Sequence, residues 1–135
     1  MAIFLNNGVQ VKVATIDLSP YVKSVTLNRS FDEVEVTAMG AGSHVFAKGL
    51  EASTIDVEFL NDTAAAKVLL TLQAAWGTTV AMTIQQTSAA NSAQNPLYST
   101  TVLMNNTTDV NGAVGDYSTQ TLKLTCNSIV VLTIV

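Results

Sequence analysis

The chain has 135 residues and a net charge of −4, with 48% of its residues hydrophobic and only 12% charged, against about 25% charged in an ordinary soluble domain. That length suits one domain around one core, the acidic balance disfavours a protein that grips nucleic-acid phosphates, and the longest apolar run, residues 129–135, falls far short of the roughly 20 residues of a membrane-spanning helix. No membrane absorbs the apolar surplus, so part of it is expected to be buried against further copies of the chain.

Residues 1–8 open the chain as a short N-terminal arm. Met1-Ala2-Ile3-Phe4-Leu5-Asn6-Asn7 has no basic stretch before its apolar run, which is not the pattern of a secretion signal. A single cysteine, Cys126, excludes an internal disulfide. Both fit a chain that stays in a reducing cytoplasm, where the Asn-x-Ser/Thr triplets at Asn28, Asn61, Asn105 and Asn106 carry no information. Asn7-Gly8 is a tight-turn signal, as is Asn111-Gly112 farther on.

From there the sequence alternates with period 2, the spacing of half-buried strands. Val9, Val11 and Val13 alternate with polar or small neighbours, and Val25 and Leu27 follow with Thr26 between them. Residues 31–53 interrupt the pattern. They hold only a weak alternation at residues 33–37, then Met39-Gly40-Ala41-Gly42-Ser43-His44, then Val45-Phe46-Ala47-Lys48-Gly49. Structureless loops longer than about 12–15 residues are uncommon and usually functional or disordered. With Phe31, Val34, Val36, Met39, Val45 and Phe46 the segment is too apolar for a solvated linker, and its glycines keep it adaptable until a partner orders it. It reads as an interaction element, against the blander alternative of a long hairpin packed on its own domain.

Alternation resumes at Ile55, Val57 and Phe59, with Asp56 and Glu58 on the opposite face. Ala65, Val68, Leu69, Leu72 and Trp76 then recur at helical spacing, predicting a helix over about 62–76. Asp62 or Thr63 is available as N-cap, Gly77 is placed to stop it, and Trp76 is expected to pack at its end. Val80, Met82 and Ile84, then Thr100, Val102 and Met104, then Leu122, Leu124 and Cys126 form further alternating runs, and residues 129–135 form an apolar C-terminal strand. With roughly eight strands, the expected fold is mainly β: a small antiparallel β-sandwich or barrel of one domain, 1–135, with one flanking helix and a long extended loop or hairpin at 31–53.

Catalytic chemistry finds little support. Nucleophilic catalysis needs a base beside the nucleophile and a group to orient it, yet His44 is the only histidine, Ser43 adjoins it in a glycine-rich loop, and Cys126 continues an apolar, core-facing alternation. Neither a paired Cys/His metal pattern, a calcium loop nor a phosphate-cradling glycine loop is present. Asp32, Glu33 and Glu35, near Arg29, read as a solvated or interfacial strand face rather than a general acid and base. The expectation is a non-enzyme without cofactor or metal.

The order of elements resembles a known family. Ile16-Asp17-Leu18-Ser19-Pro20-Tyr21-Val22-Lys23-Ser24-Val25-Thr26-Leu27-Asn28-Arg29-Ser30 looks like the turn and strand that open many major tail tube proteins of long-tailed, siphovirus-type bacteriophages. Ala52-Ser53-Thr54-Ile55-Asp56-Val57-Glu58-Phe59 resembles the family's next strand, and the helix ending at Trp76 the one that follows. Pro96-Leu97-Tyr98-Ser99 and Val114-Gly115-Asp116-Tyr117-Ser118 resemble its later strand starts. The resemblance implies a virion structural protein whose six copies close into a ring by extending their sheets, the rings stacking into the hollow tube through which DNA leaves the capsid. It implies that residues 31–53 reach the adjacent ring, so that Phe31, Glu33, Val34, Glu35, Val36, Met39, His44, Val45, Phe46 and Lys48 become intersubunit residues. The implied partners are further copies of the chain, tail tip and tail terminator proteins, and a tape measure protein and DNA that pass through the lumen without sequence-specific binding. The implied place is the virion tail, assembled in the host bacterial cytoplasm. An acidic lumen would repel phosphate, and Asp56 and Glu58 are the candidates to line it. The competing expectation is a carbohydrate-binding or adhesion β-sandwich of a virion, in which exposed aromatics stack on sugar rings.

Overall fold

The alternating runs become ten strands in the computed structural model, which describes residues 8–64 and 67–134. In chain order these are β1 (Gln10–Val13), β2 (Ile16–Asp17), β3 (Val22–Asn28), β4 (Phe31–Glu35), β5 (Phe46–Glu51), β6 (Thr54–Leu60), β7 (Thr79–Gln85), β8 (Leu97–Leu103), β9 (Thr119–Thr125) and β10 (Val131–Thr133). Among the described residues one α-helix, α1 (Val68–Ala75), lies between β6 and β7, and one 3-10 turn, Ser19–Tyr21, between β2 and β3. The strands form a five-stranded sheet, β10-β8-β7-β1-β2, a three-stranded sheet, β3-β6-β9, and a separate pair, β4-β5, all antiparallel.

The inner faces of the two larger sheets make the core. Val25, Val57 and Leu122 align across the three-stranded sheet, as do Leu27, Ile55 and Leu124. Val11 with Ile84 and Val13 with Met82 face them from the five-stranded sheet, and all belong to or pack against one hydrophobic cluster that also takes in Val68 and Leu72 of the helix. Backbone pairing between Val102 and Cys126, and Asn127 N–H donating to the Thr101 carbonyl at 2.7 Å, join β8 to the end of β9. The result is the small β-sandwich with one flanking helix that alternation predicts.

Several details differ from the sequence-based expectation. The helix spans eight residues rather than residues 62–76, about two turns instead of four. Asp62 does not cap it: its carboxylate accepts the Ala64 N–H at 2.9 Å, holding that stretch in a local turn, while the N-cap position falls to Lys67, whose side chain makes no cap. Ala65 lies outside the described residues. Gly77 does stop the helix, with φ of +75° and its N–H on the Met104 carbonyl at 2.9 Å. Trp76 is not packed at the helix end; it is 56% exposed. The tight turn expected at Asn111-Gly112 forms instead at Ala113–Asp116, where Gly115 takes φ of +87°, and Asn7 lies outside the described residues. β2 and β5 went unpredicted. β2 follows β1 through Ala14 and Thr15, both at positive φ (50° and 71°), so a two-residue turn is made without the Asn or Gly that would announce it.

Candidate assembly surface

The interrupted segment is an ordered hairpin, and its geometry follows from the sheet it leaves. β3 pairs with β6 up to Asn28 opposite Thr54; the Ala52 N–H then donates to the Ser30 carbonyl at 2.8 Å, and β4 pairs with β5 starting at Phe31 opposite Glu51. These contacts share one register. The β3-β6 pair and the β4-β5 pair are thus a single two-stranded ribbon that runs out of the sandwich, with a bulge between Phe31 and Glu33 marking the change. The hydrogen-bonded ladder continues past β4, Val36 N–H donating to the Val45 carbonyl at 2.8 Å, to a turn at Ala38–Ala41 where Gly40 has φ of +88°. At about 3.3 Å per residue the arm from Ser30 to Thr37 reaches roughly 25 Å. Its base is fastened, since a Glu51 carboxylate oxygen accepts the N–H of buried Val130 at 2.8 Å.

Every predicted interaction residue lies on this arm, and all are exposed. Phe46 is 55% exposed and Met39, at the tip, is fully so. By strand alternation Glu33, Glu35, Phe46 and Lys48 share one face. There the Lys48 ammonium lies 5.5 Å from the centre of the Phe31 ring, and His44 Nδ1 meets Glu35 Oε1. Val34 and Val36, with their cross-strand neighbours Ala47 and Val45, make an aliphatic strip on the other face, about half exposed at each valine. Nothing in the described domain covers either face. Segment 31–53 carries four acids, Asp32, Glu33, Glu35 and Glu51, against one lysine, Lys48, so most of the chain's excess negative charge sits on the arm. His44, the candidate base, has Glu35 and Phe46 as neighbours and meets neither Ser43 nor Cys126. Cys126 is half-buried against the core, and that burial raises its thiol pKa, the opposite of an activated nucleophile.

Asp56 and Glu58 project from the outer face of the three-stranded sheet, as alternation requires. This face is not acidic. Asp56 lies between Thr26 and Lys123, and Lys23 Nζ stands 3.8 Å from Glu58 Oε1, so two lysines balance two acids among threonines. Sequence reasoning also missed apolar residues that the structure exposes: Leu50 on the arm, Val110, Val114 and Tyr117 in the connection between β8 and β9, and Ile129 and Val131 at the C-terminal strand. The first four stand outside any alternating run, so no periodic signal marked them.

The sheet edges differ in how they are finished. β2 and β10 are edges of two and three residues. The edge of β9 is covered by side chains: the Asn106 amide donates to the Lys123 carbonyl at 2.7 Å and accepts its N–H at 3.2 Å, and Thr108 bonds Gln120 and Thr121. β3, with seven residues, has no second strand partner among the described residues. A long uncovered edge is the part of a sheet that recruits another chain. No protein-family model matches the chain, and no curated protein is significantly similar to it.

Proposed function

We propose that this chain is a self-assembling structural protein, a tail tube subunit of a long-tailed bacteriophage, whose copies close into hexameric rings that stack around a DNA-conducting channel. One observation carries the reading: an ordered β-ribbon extends roughly 25 Å beyond the core with Phe31, Val34, Val36, Met39, Val45, Phe46 and Leu50 all exposed. Ordinary monomers do not display such a patch without a partner for it. Copies would pair their open sheet edges, with the arm bridging from one copy to the next. Tail tip, tail terminator and tape measure proteins are the partners this assembly calls for, in a virion tail built in the host cytoplasm. Passage of DNA needs a bore that does not hold phosphate; the charge-balanced, threonine-rich face around Asp56 and Glu58 suits that role by offering no surplus of cations to replace counterions.

Electron microscopy and sedimentation of purified protein test the reading. Wild-type chain should form rings or tubes, alone or when seeded by a tail tip. A variant in which Asn-Gly joins the paired Ser30 and Ala52 in place of residues 31–51 should fold but not stack. Protein that stays monomeric at high concentration, with and without a tail tip, overturns the proposal. A second reading, a carbohydrate-binding module, draws on the exposure of Trp76 and Tyr117; glycan-array binding by a monodisperse monomer would select it.

A further inference from the structure

The edge of β3, which has no second strand partner among the described residues, borders a groove of about 920 Å³, running between that strand and the five-stranded sheet. Val9, Val25, Leu27 and Ile84 supply its apolar side, beside polar residues such as Ser24 and Thr26; Lys23, which also stands 3.8 Å from Glu58, and Arg29 are its charged members, and none of its lining residues is acidic. Arg29 stacks 5.9 Å over the Tyr98 ring at one end, and Lys23 lies at the other end of β3. Among the described residues the groove therefore combines three things an extended, acidic, partly apolar strand would need: a ladder edge with no second strand, a set of apolar side chains and a cation at each end.

One such strand belongs to this chain. β4 pairs with β5 along one edge only, carries Asp32, Glu33 and Glu35, and presents Val34 on the face opposite Glu33 and Glu35, with Val36 continuing the aliphatic strip. The arm cannot enter the groove of its own chain, because β4 continues β3 in register and leads away from it. We infer that the β3 groove is the receptor for the β4 edge of a second copy, so that Val34 and Val36 cover Val25 and Leu27 while the arm's carboxylates meet Lys23 and Arg29. This contact joins different surfaces of identical chains, a head-to-tail arrangement that propagates unless its rotation closes. It rests on the assembly reading and adds to it the identity of the docking site.

Charge reversal in both partners tests the pairing. Lys23→Glu/Arg29→Glu reverses the groove, and Glu33→Lys/Glu35→Lys reverses the arm; circular dichroism and urea unfolding establish that each variant folds. Each variant alone should lose assembly in sedimentation at low salt. The chain carrying all four substitutions should regain it, and so should an equimolar mixture of the two reversed variants. Lys23→Gln/Arg29→Gln should assemble only at concentrations above those the wild type needs. A folded groove variant that assembles like wild type overturns the inference, as does loss without rescue in the fourfold chain and the mixture, which would point to another occupant such as residues 1–7 or a different protein. Failure of the wild type itself to assemble would instead remove the function proposed above, so the two failures are distinguishable.

Discussion

Two halves of one ribbon share strands and register yet differ in what they bury. In the β3-β6 half, Ile55, Val57 and Phe59 are closed off from solvent by a second sheet and a helix. In the β4-β5 half, residues of the same apolar type are about half exposed on both faces. An isolated two-stranded hairpin is marginal in water, so the arm adds little to domain folding and exposes apolar surface that a monomer would do better without. The contrast assigns the inner half to folding and the outer half to association.

The sharpest way to break that division is to delete the same side chain from both halves. Phe59 is fully buried, and Phe59→Ala should cost about 3–5 kcal/mol in urea denaturation. Phe46→Ala should change monomer stability by no more than about 0.5 kcal/mol while weakening assembly roughly tenfold or more, the scale expected when a buried aromatic is lost from an interface. Equal unfolding costs for the two would mean that the arm is part of the folding unit.

Gly49 offers a test within the arm alone. A Cβ there would lie 2.7 Å from the Asp32 carbonyl oxygen and 3.0 Å from Asp32 Cβ, on the strand directly opposite. Gly49→Ala must therefore push β4 from β5 at a local cost of about 1–3 kcal/mol. Hydrogen exchange should show faster exchange at Val36 and its neighbours with protection in β6 and β9 unchanged, because sub-global openings are confined to weakly packed units. Loss of protection through β6 as well would show the two halves opening together.

What the sequence made legible divides along the same line. Strict alternation at residues 55–59, 80–84 and 122–126 marks strands with one face on a core, and the structure places them there. β5 was invisible because neither of its faces is buried, so nothing imposes alternation on Phe46, Ala47, Lys48 and Gly49. The exposed Trp76 misled for a related reason: helical spacing records which residues could share a stripe, while the helix ends before the stripe does. The arm was recognisable as an interaction element from its apolar content, but its continuity with β3 and the groove beside that strand depend on register and on an unfilled edge, which no local pattern encodes.

The β1-β2 turn permits stabilisation of the domain without touching the arm. Ala14 and Thr15 adopt left-handed φ values, a conformation that costs an L-residue roughly 1–2 kcal/mol and suits Asn and Gly. Ala14→Asn/Thr15→Gly should raise domain stability by about 1 kcal/mol after the entropy cost of the added glycine. Assembly of folded protein should be unaffected; a change in assembly would place this turn in an interface.

The smallest effect separates the halves by pH. Asp17 Oδ1 accepts the Ser19 N–H at 2.9 Å as well as the Ser19 hydroxyl, while Ser19 Oγ accepts the Val11 N–H at 2.9 Å, which ties the turn at Ser19–Tyr21 to β1. The Ser19 side chain, helped by its backbone N–H and the nearby Lys12 charge, lowers the Asp17 carboxyl below its ordinary value of 3.8 against an opposing effect of burial that is second only to the Ser19 side chain. A carboxylate whose folded pKa is depressed stabilises the fold above its unfolded value, and that contribution is lost as pH falls through the folded one. Because Asp17 is largely exposed, solvent screening should hold the contribution to about 0.5 kcal/mol or less. Wild type should therefore be slightly more stable than Asp17→Asn at pH 7, and the gap should close as pH falls below about 4. Replacing residues 31–51 by the Asn-Gly turn should leave that convergence in place, since Asp17, Ser19 and Val11 all lie outside the arm; a convergence that vanished with the arm would mean that the ribbon's outer half stabilises the fold that carries it.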